Sequence, residues 1–183
     1  MRDGATEPAI HDGAPGFDSC GGGIDIATRL RSWQSAGDAR IFKLIVSPEL
    51  GERLDLNRLV RDLMQRMEQD LGRKLEWVAV NHFNTAHPHA HIALRGVAQG
   101  QELRLDRDYV KHGIRRHAEE LCTQELGFRT FADALEAERR EIDQPRITSL
   151  DRQIARHRRG EAGPSFSVEI DSHIRPNLVK RLA

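Results

Sequence analysis

The feature that most constrains this chain is a run of histidines set between two apolar segments, Val80-Asn81-His82-Phe83-Asn84-Thr85-Ala86-His87-Pro88-His89-Ala90-His91-Ile92-Ala93-Leu94-Arg95-Gly96. From His89 onward the run alternates, with Ala90, Ile92 and Leu94 on one side and His89, His91 and Ala93 on the other. Strand side chains change face with a period of two, so both imidazoles leave the same face. His82 ends a second apolar run, 75–80, and the connection from it to His89 contains a proline. That pattern predicts two antiparallel strands, 75–82 and 89–97, joined by a short loop that brings His82 back beside the other two. Three imidazoles converging on one point form a metal site with coordination positions left for a substrate. The bland alternative is three solvated surface side chains, and the spacing on rigid strands favours the metal. His87 sits in the connection, out of phase with the pair.

The remaining elements can be placed around this hairpin. Residues 1–37 are rich in glycine and predict mostly loop, with one short helix around 26–33. Residues 39–46, with Ile41, Phe42, Leu44, Ile45 and Val46, predict a largely buried strand stopped by Ser47-Pro48. Asp55 is a suitable N-cap for a helix in which Leu56, Leu59, Val60, Leu63, Met64, Met67 and Leu71 recur at helical spacing, with Gly72 just past its end. That stripe of Leu and Met reads as core and not as a binding groove. A turn at 98–101 leads to a short strand at 102–105 and then to a helix over 107–126 that ends at Gly127. Further helices are expected near 131–142 and 149–159, a linker at 160–164, and a tail whose Phe166, Val168 and Ile170 alternate without an evident partner. The order predicts an α+β fold, an antiparallel sheet with helices on one face and the histidines on or near the other.

At 183 residues, 38% hydrophobic and 31% charged, the chain suits one globular domain with an extension. The expected division is a domain over 1–160 and a linker and tail over 161–183. No run approaches the roughly 20 apolar residues that span a bilayer, and no basic-then-apolar leader opens the chain. A cytoplasmic protein without a membrane partner is expected. Cys20 and Cys122 stand at no metal-ligand spacing and read as reduced thiols. Formal net charge is zero, so contact with nucleic acid depends on local clusters. Arg104, Arg107, Lys111, Arg115 and Arg116 form one such cluster, and Arg152, Arg156, Arg158 and Arg159 another. A DNA-binding surface and a solvated helix face both explain them.

The pattern H-x-N-T-x-H-P-H-x-H followed by an apolar strand resembles the three-histidine motif of the relaxases, the mobilisation nucleases of conjugative plasmids and integrative elements, which are HUH endonucleases. A weaker likeness covers the chain from its amino terminus to Asp151. The resemblance implies a palm-like antiparallel sheet whose central strands carry the histidines. It implies that His82, His89 and His91 hold a divalent metal, magnesium or manganese, which polarises the scissile phosphate, and that Asn84 supports the first histidine. It also implies single-stranded DNA at a transfer origin as substrate, with accessory transfer proteins as further partners. Imidazole ligands alone favour zinc, copper or nickel, and Asn84 also suits a turn, so both assignments stay open here.

In relaxases resembling this chain the nucleophile is a tyrosine in a pattern like Y-[I/L]-x-R-x-G. Met1-Arg2-Asp3-Gly4 resembles the end of that pattern, with the tyrosine falling just before residue 1. The nuclease domain is therefore expected to lack its amino-terminal tyrosine segment. The one tyrosine in the sequence, Tyr109, is a candidate nucleophile, set against a structural role at the start of a helix. Two functions follow: a relaxase-type nicking domain, or a catalytically inactive, truncated module of the same fold that grips single-stranded DNA through Arg104, Arg107, Lys111, Arg115 and Arg116. A water-activating metallohydrolase is a third, weakened by the lack of a nearby Asp or Glu to act as base. Phe83 is a candidate for stacking on unpaired bases, while Trp77 follows the apolar pattern of its strand. Arg95, on the face of His91, is a candidate phosphate contact or a member of a surface salt bridge.

Overall fold

The structure is a computed structural model that describes residues 15–83, 87–159, 167–168, 177, 180 and 181. Asn84, Met1 to Gly4, the expected 160–164 linker, Phe166 and Ile170 lie outside the described residues. The chain divides into two compact units, Met1–Gly127 and Phe128–Ala183.

The first unit is built on helix α2, Leu56–Leu71. Asp55 accepts a hydrogen bond from the Arg58 N–H at 3.1 Å and so satisfies one of the free donors of the first turn. At the other end Gly72 takes φ 62°, a left-handed conformation that costs glycine little. This turns the Gly72 and Arg73 N–H groups back onto the carbonyls of Gln69 and Glu68. Leu56, Leu59, Val60, Leu63, Met64 and Met67 are all buried. They form the centre of the hydrophobic core, as their spacing predicts.

Against that stripe lies a five-stranded sheet, every pairing antiparallel. Its strands are β1 (Gly16–Phe17), β2 (Gly22–Ile24), β3 (Ile41–Val46), β4 (Trp77–His82) and β5 (His89–Arg95), in the order β2-β1-β4-β5-β3. The α+β class and the antiparallel sheet are as predicted. Strands β1 and β2 fall in a segment expected to be mostly loop. They form because Phe17 pairs with Ala79 and buries its ring edge-on against Trp77, with centroids 5.9 Å apart. Arg61 of α2 secures their turn, lying 5.3 Å over the Phe17 ring and donating to the carbonyls of Asp18 and Gly21. Strand β3 is also corrected. It is an edge strand with one solvated face, not a largely buried run, and Ile45 is 65% exposed. The strand expected at 102–105 is displaced to β7 (Gln101–Glu102), which pairs with β6 (Val97–Ala98) and leaves Leu103 to enter the core.

Helix α1, Ile26–Ser35, is capped by Asp25, which accepts from the Thr28 N–H and hydroxyl. Helix α3, Ile114–Leu126, follows a π-helical turn, Tyr109–Gly113, and adds Ile114 and Leu121 to the core beside α2. The sheet therefore has two unlike faces. Ala90, Ile92 and Leu94 of β5, with Trp77 and Ala79 of β4, belong to the core formed with α2 and α3. The alternate residues face away from it, and α1 covers part of that second face, where Val78 and Trp33 are buried.

The second unit holds α4 (Phe131–Glu141), α5 (Ser149–His157) and a small ladder between β8 (Arg158–Arg159) and β9 (Ser167–Val168). That ladder supplies the partner that the tail lacked in sequence. Among its described residues the buried apolar cluster is Leu150 and Ile154, with Ile142 packed against them. Thr130 and Asp133 form a capping box on α4. Arg181 donates to both oxygens of Asp151 and to the carbonyls of Ile142, Gln144 and Arg146.

Candidate metal centre

In an antiparallel ladder, residues directly opposite each other share a face. The register sets His82 across from His89 and Val80 across from His91. All three imidazoles therefore emerge from the face opposite the α2 core, at the end of the hairpin that α1 does not cover. Their ring centroids are 4.9 to 5.2 Å apart, and one ring nitrogen from each lies within 4.8 Å of the others. All three residues are half-buried.

The hydrogen bonding sets the donor atoms. His89 Nδ1 lies 2.8 Å from the His87 carbonyl. A carbonyl only accepts, so Nδ1 carries the proton and the neutral ring keeps its lone pair on Nε2. His89 Nε2 in turn lies 3.1 Å from His91 Nε2. Metal–nitrogen bonds of about 2.0–2.1 Å place neighbouring ligand atoms about 3.0–3.4 Å apart. This pair thus stands at the spacing of two ligands on one ion. Burial, and then the neighbouring His82 and His89, push the pKa of His91 below the ordinary histidine value and favour the neutral ring that ligation requires. Among the described residues the group is purely histidine, so it fits a divalent cation with no carboxylate in attendance. His87, out of phase by sequence, contributes its backbone and so orients a ligand.

The loop that delivers His89 is braced from behind. Gly51 is buried, and a Cβ at this position would stand 2.7 Å from the Pro88 carbonyl oxygen. A side chain there would displace the connection. Nothing in the sequence around Gly51 announces this role, because the contact joins segments far apart in the chain.

The other predicted site residues are dispersed. Phe83, next to His82, is 64% exposed, whereas Trp77 is buried in the core. Arg95 shares the histidine face but is held at its far end, donating to both oxygens of Asp38 at 2.6 and 3.1 Å and to Glu76 at 2.8 Å. Tyr109 is not brought to the histidines. It packs against the core on the α2 side of the sheet, where burial and the nearby Asp70 carboxylate push its phenol pKa well above the ordinary value. Arg107, Lys111, Arg115 and Arg116 are exposed on the turns that lead into and begin α3, on the helical side. Arg116 stands 3.9 Å from Glu120, and Arg104, in the loop before them, 3.4 Å from Glu102. Sequence reading also passed over Lys43 and Ile45 of β3, which face the same way as His91 because Ile45 lies directly across from it. Their signal was the alternation of Ile41, Lys43 and Ile45 with Phe42, Leu44 and Val46.

Among the described residues no helix is long and apolar enough to cross a membrane. No curated protein and no solved structure matches the chain. A family model does match: the relaxase nuclease domain of MobA/VirD2-like type covers residues 25–126. That span runs from the cap of α1 to the end of α3 and contains the three histidines on their paired strands. The chain therefore belongs to the MobA/VirD2-like relaxase nuclease-domain family.

Proposed function

We propose that the chain is a relaxase-type DNA-nicking domain that acts on single-stranded DNA at a transfer origin during conjugation or mobilisation. The observation that carries this reading is the convergence of His82, His89 and His91 on the uncovered sheet face of a chain in the relaxase family. A divalent cation held by these three residues supplies charge neutralisation at the scissile phosphate. The protein's own part is to hold the site rigid. Two central strands fix the ligand positions, the His87 carbonyl fixes the tautomer of His89, and the open face admits an extended strand. Magnesium or manganese is the metal the family resemblance implies, and the imidazole set accommodates zinc or nickel as well.

The position of Tyr109 favours a second reading for the chain acting alone. Its phenol lies on the opposite side of the sheet from the histidines, so covalent attachment to DNA needs a different nucleophile. On that reading the chain binds single-stranded DNA and metal without cutting.

One experiment separates the two. Purified protein is incubated with manganese and a fluorescent single-stranded oligonucleotide from the transfer origin of its own element, and products are run on a denaturing gel with and without proteinase. A proteinase-sensitive adduct establishes the nicking enzyme. No cleavage on the gel, with binding of the same oligonucleotide seen by fluorescence anisotropy, establishes the second reading. Failure of the protein to bind either metal or oligonucleotide refutes both.

A further inference from the structure

Strand β3 presents an unusual solvent face. Ile41, Lys43 and Ile45 point away from the core, and the register places them across from Arg95, Ala93 and His91 respectively. Ile45 at 65% and Ile41 at 37% exposure leave branched apolar side chains in solvent beside a metal-type site, where the solvent face of an edge strand usually carries polar residues. Between them Lys43 is exposed, and among the described residues no carboxylate pairs with it. The row is about 13 Å long, from the strand rise over four residues. One end lies beside His91. The other opens into a shallow hollow of about 300 Å³ lined by Leu30, Arg31, Gln34, Asp38, Arg40 and Ile41. The acidic member of that hollow, Asp38, is already bonded to Arg95, and Arg40 is paired with Glu102 at 2.7 Å. Arg31 donates to the Thr28 hydroxyl at 3.4 Å and adds its charge to the Thr28 hydrogen bonds that hold the Asp25 carboxyl below its ordinary pKa. Lys43, exposed and without a carboxylate partner among the described residues, therefore sits in the middle of an apolar strip that starts at the histidine cluster.

Resting on the nuclease reading above, we infer that the solvent face of β3 is the wall along which the single strand beside the scissile phosphate runs, from His91 to the hollow under α1. Lys43 is a positioning residue that neutralises a backbone phosphate, and Ile45 packs against the nucleotide nearest the metal. A single strand offers this alternation of charge and apolar face, and grooves for it combine cations that track the backbone with apolar side chains that meet the bases. The basic cluster on α3, including Arg115, lies on the other side of the sheet and plays no part in this path.

The test is fluorescence anisotropy of a labelled, mixed-sequence single-stranded oligonucleotide across a salt series, using the whole chain. Lys43→Glu should weaken binding about tenfold and reduce the slope of log K against log salt by about 0.7, the share of one phosphate contact on a single strand. Lys43→Arg should restore both values. Ile45→Ala should weaken binding about fourfold, the equivalent of one buried methylene, with the salt slope unchanged. Arg115→Glu should change affinity less than about twofold. If the wild type binds, and Arg115→Glu abolishes binding while Lys43→Glu does not, the path along β3 is wrong and the DNA reading survives. If the wild type binds no oligonucleotide, the DNA reading falls and takes the inference with it.

Discussion

The two faces of strand β5 carry opposite physics on one backbone. Ala90, Ile92 and Leu94 are essentially inaccessible to solvent and belong to the core beneath α2. His89, His91 and Arg95, interleaved with them, are half-buried and polar. On the inner face, stabilisation comes from apolar area removed from water, which is indifferent to the orientation of any one atom. On the outer face the placement of single nitrogen atoms decides everything: a 2.8 Å bond from His89 Nδ1 to the His87 carbonyl fixes one ring, and a 3.1 Å separation sets two ring nitrogens side by side. The core face thus provides rigidity and the outer face uses it. A slip of one residue in register would exchange the two sets, and for that reason the hydrophobic pattern also specifies where the three histidines converge.

Substitutions at neighbouring positions separate the two roles. Ile92→Ala should have the largest effect, a loss of about 2–5 kcal/mol in folding stability from the removed methyl groups and the cavity they leave. Urea unfolding reads this directly, and the metal affinity of the folded fraction should be unchanged. His91→Ala, one residue earlier, should do the reverse. Metal affinity by calorimetry should fall more than about 100-fold, beyond the range seen when only a supporting group is lost. Unfolding measured in chelator should move by about 0.5 kcal/mol or less. A large stability loss in His91→Ala would mean that the histidines serve as packing.

Gly51→Ala tests whether the loop behind the site belongs to the outer face's machinery. The added methyl group meets the Pro88 carbonyl at 2.7 Å and pushes on the segment that orients His89. Metal affinity should drop about tenfold, as for loss of a group that orients a ligand, with a smaller change in the urea midpoint than Ile92→Ala produces. If affinity is unchanged, the His87–His89 segment tolerates displacement and the carbonyl bond to His89 is not what sets the site.

Much of this was legible in the sequence, for a specific reason. Periodicity reports local geometry, so α2 with its Asp55 cap and Gly72 stop, the alternation of β5, and the three histidines of one hairpin could all be read directly. What escaped depends on partners far away in the chain. The edge position of β3 follows from the pairing order of the whole sheet, so a run with apolar residues at 41, 42, 44, 45 and 46 read as buried. Strands β1 and β2 exist because Phe17 finds Trp77 and Arg61, and no alternation marks them. Tyr109 was a candidate nucleophile or a structural aromatic in sequence, and its seat against the core beside Asp70 depends on α2. The second unit divides in the same way. Its Thr130-x-x-Asp133 capping box was available in the sequence but passed over, whereas the clamp of Arg181 on Asp151 and three carbonyls joins residues at least 30 positions apart.

The smallest effect lies at the far end of the outer face. Asp38 accepts two bonds from Arg95, chiefly for that reason its carboxyl is held below the ordinary aspartate pKa, and it stays ionised in the fold. A depressed native value means that the unfolded chain binds the proton more readily. The pair's contribution is therefore complete above the unfolded pKa of about 3.9 and is lost as pH falls through the native value. Urea midpoints measured downward from about pH 5 should decline in the wild type, and less steeply in Asp38→Asn. Arg95→Lys should not restore the wild-type slope in full, because an ammonium cannot grip both oxygens of a carboxylate as a planar guanidinium does. The outcome also bears on function. If Asp38→Asn leaves the slope untouched, the pair does not hold Arg95, and its guanidinium, on the same face as His91, becomes available to a phosphate. If the slope flattens, Arg95 is committed to the scaffold, and the phosphate contact inferred above rests on Lys43 of the neighbouring strand.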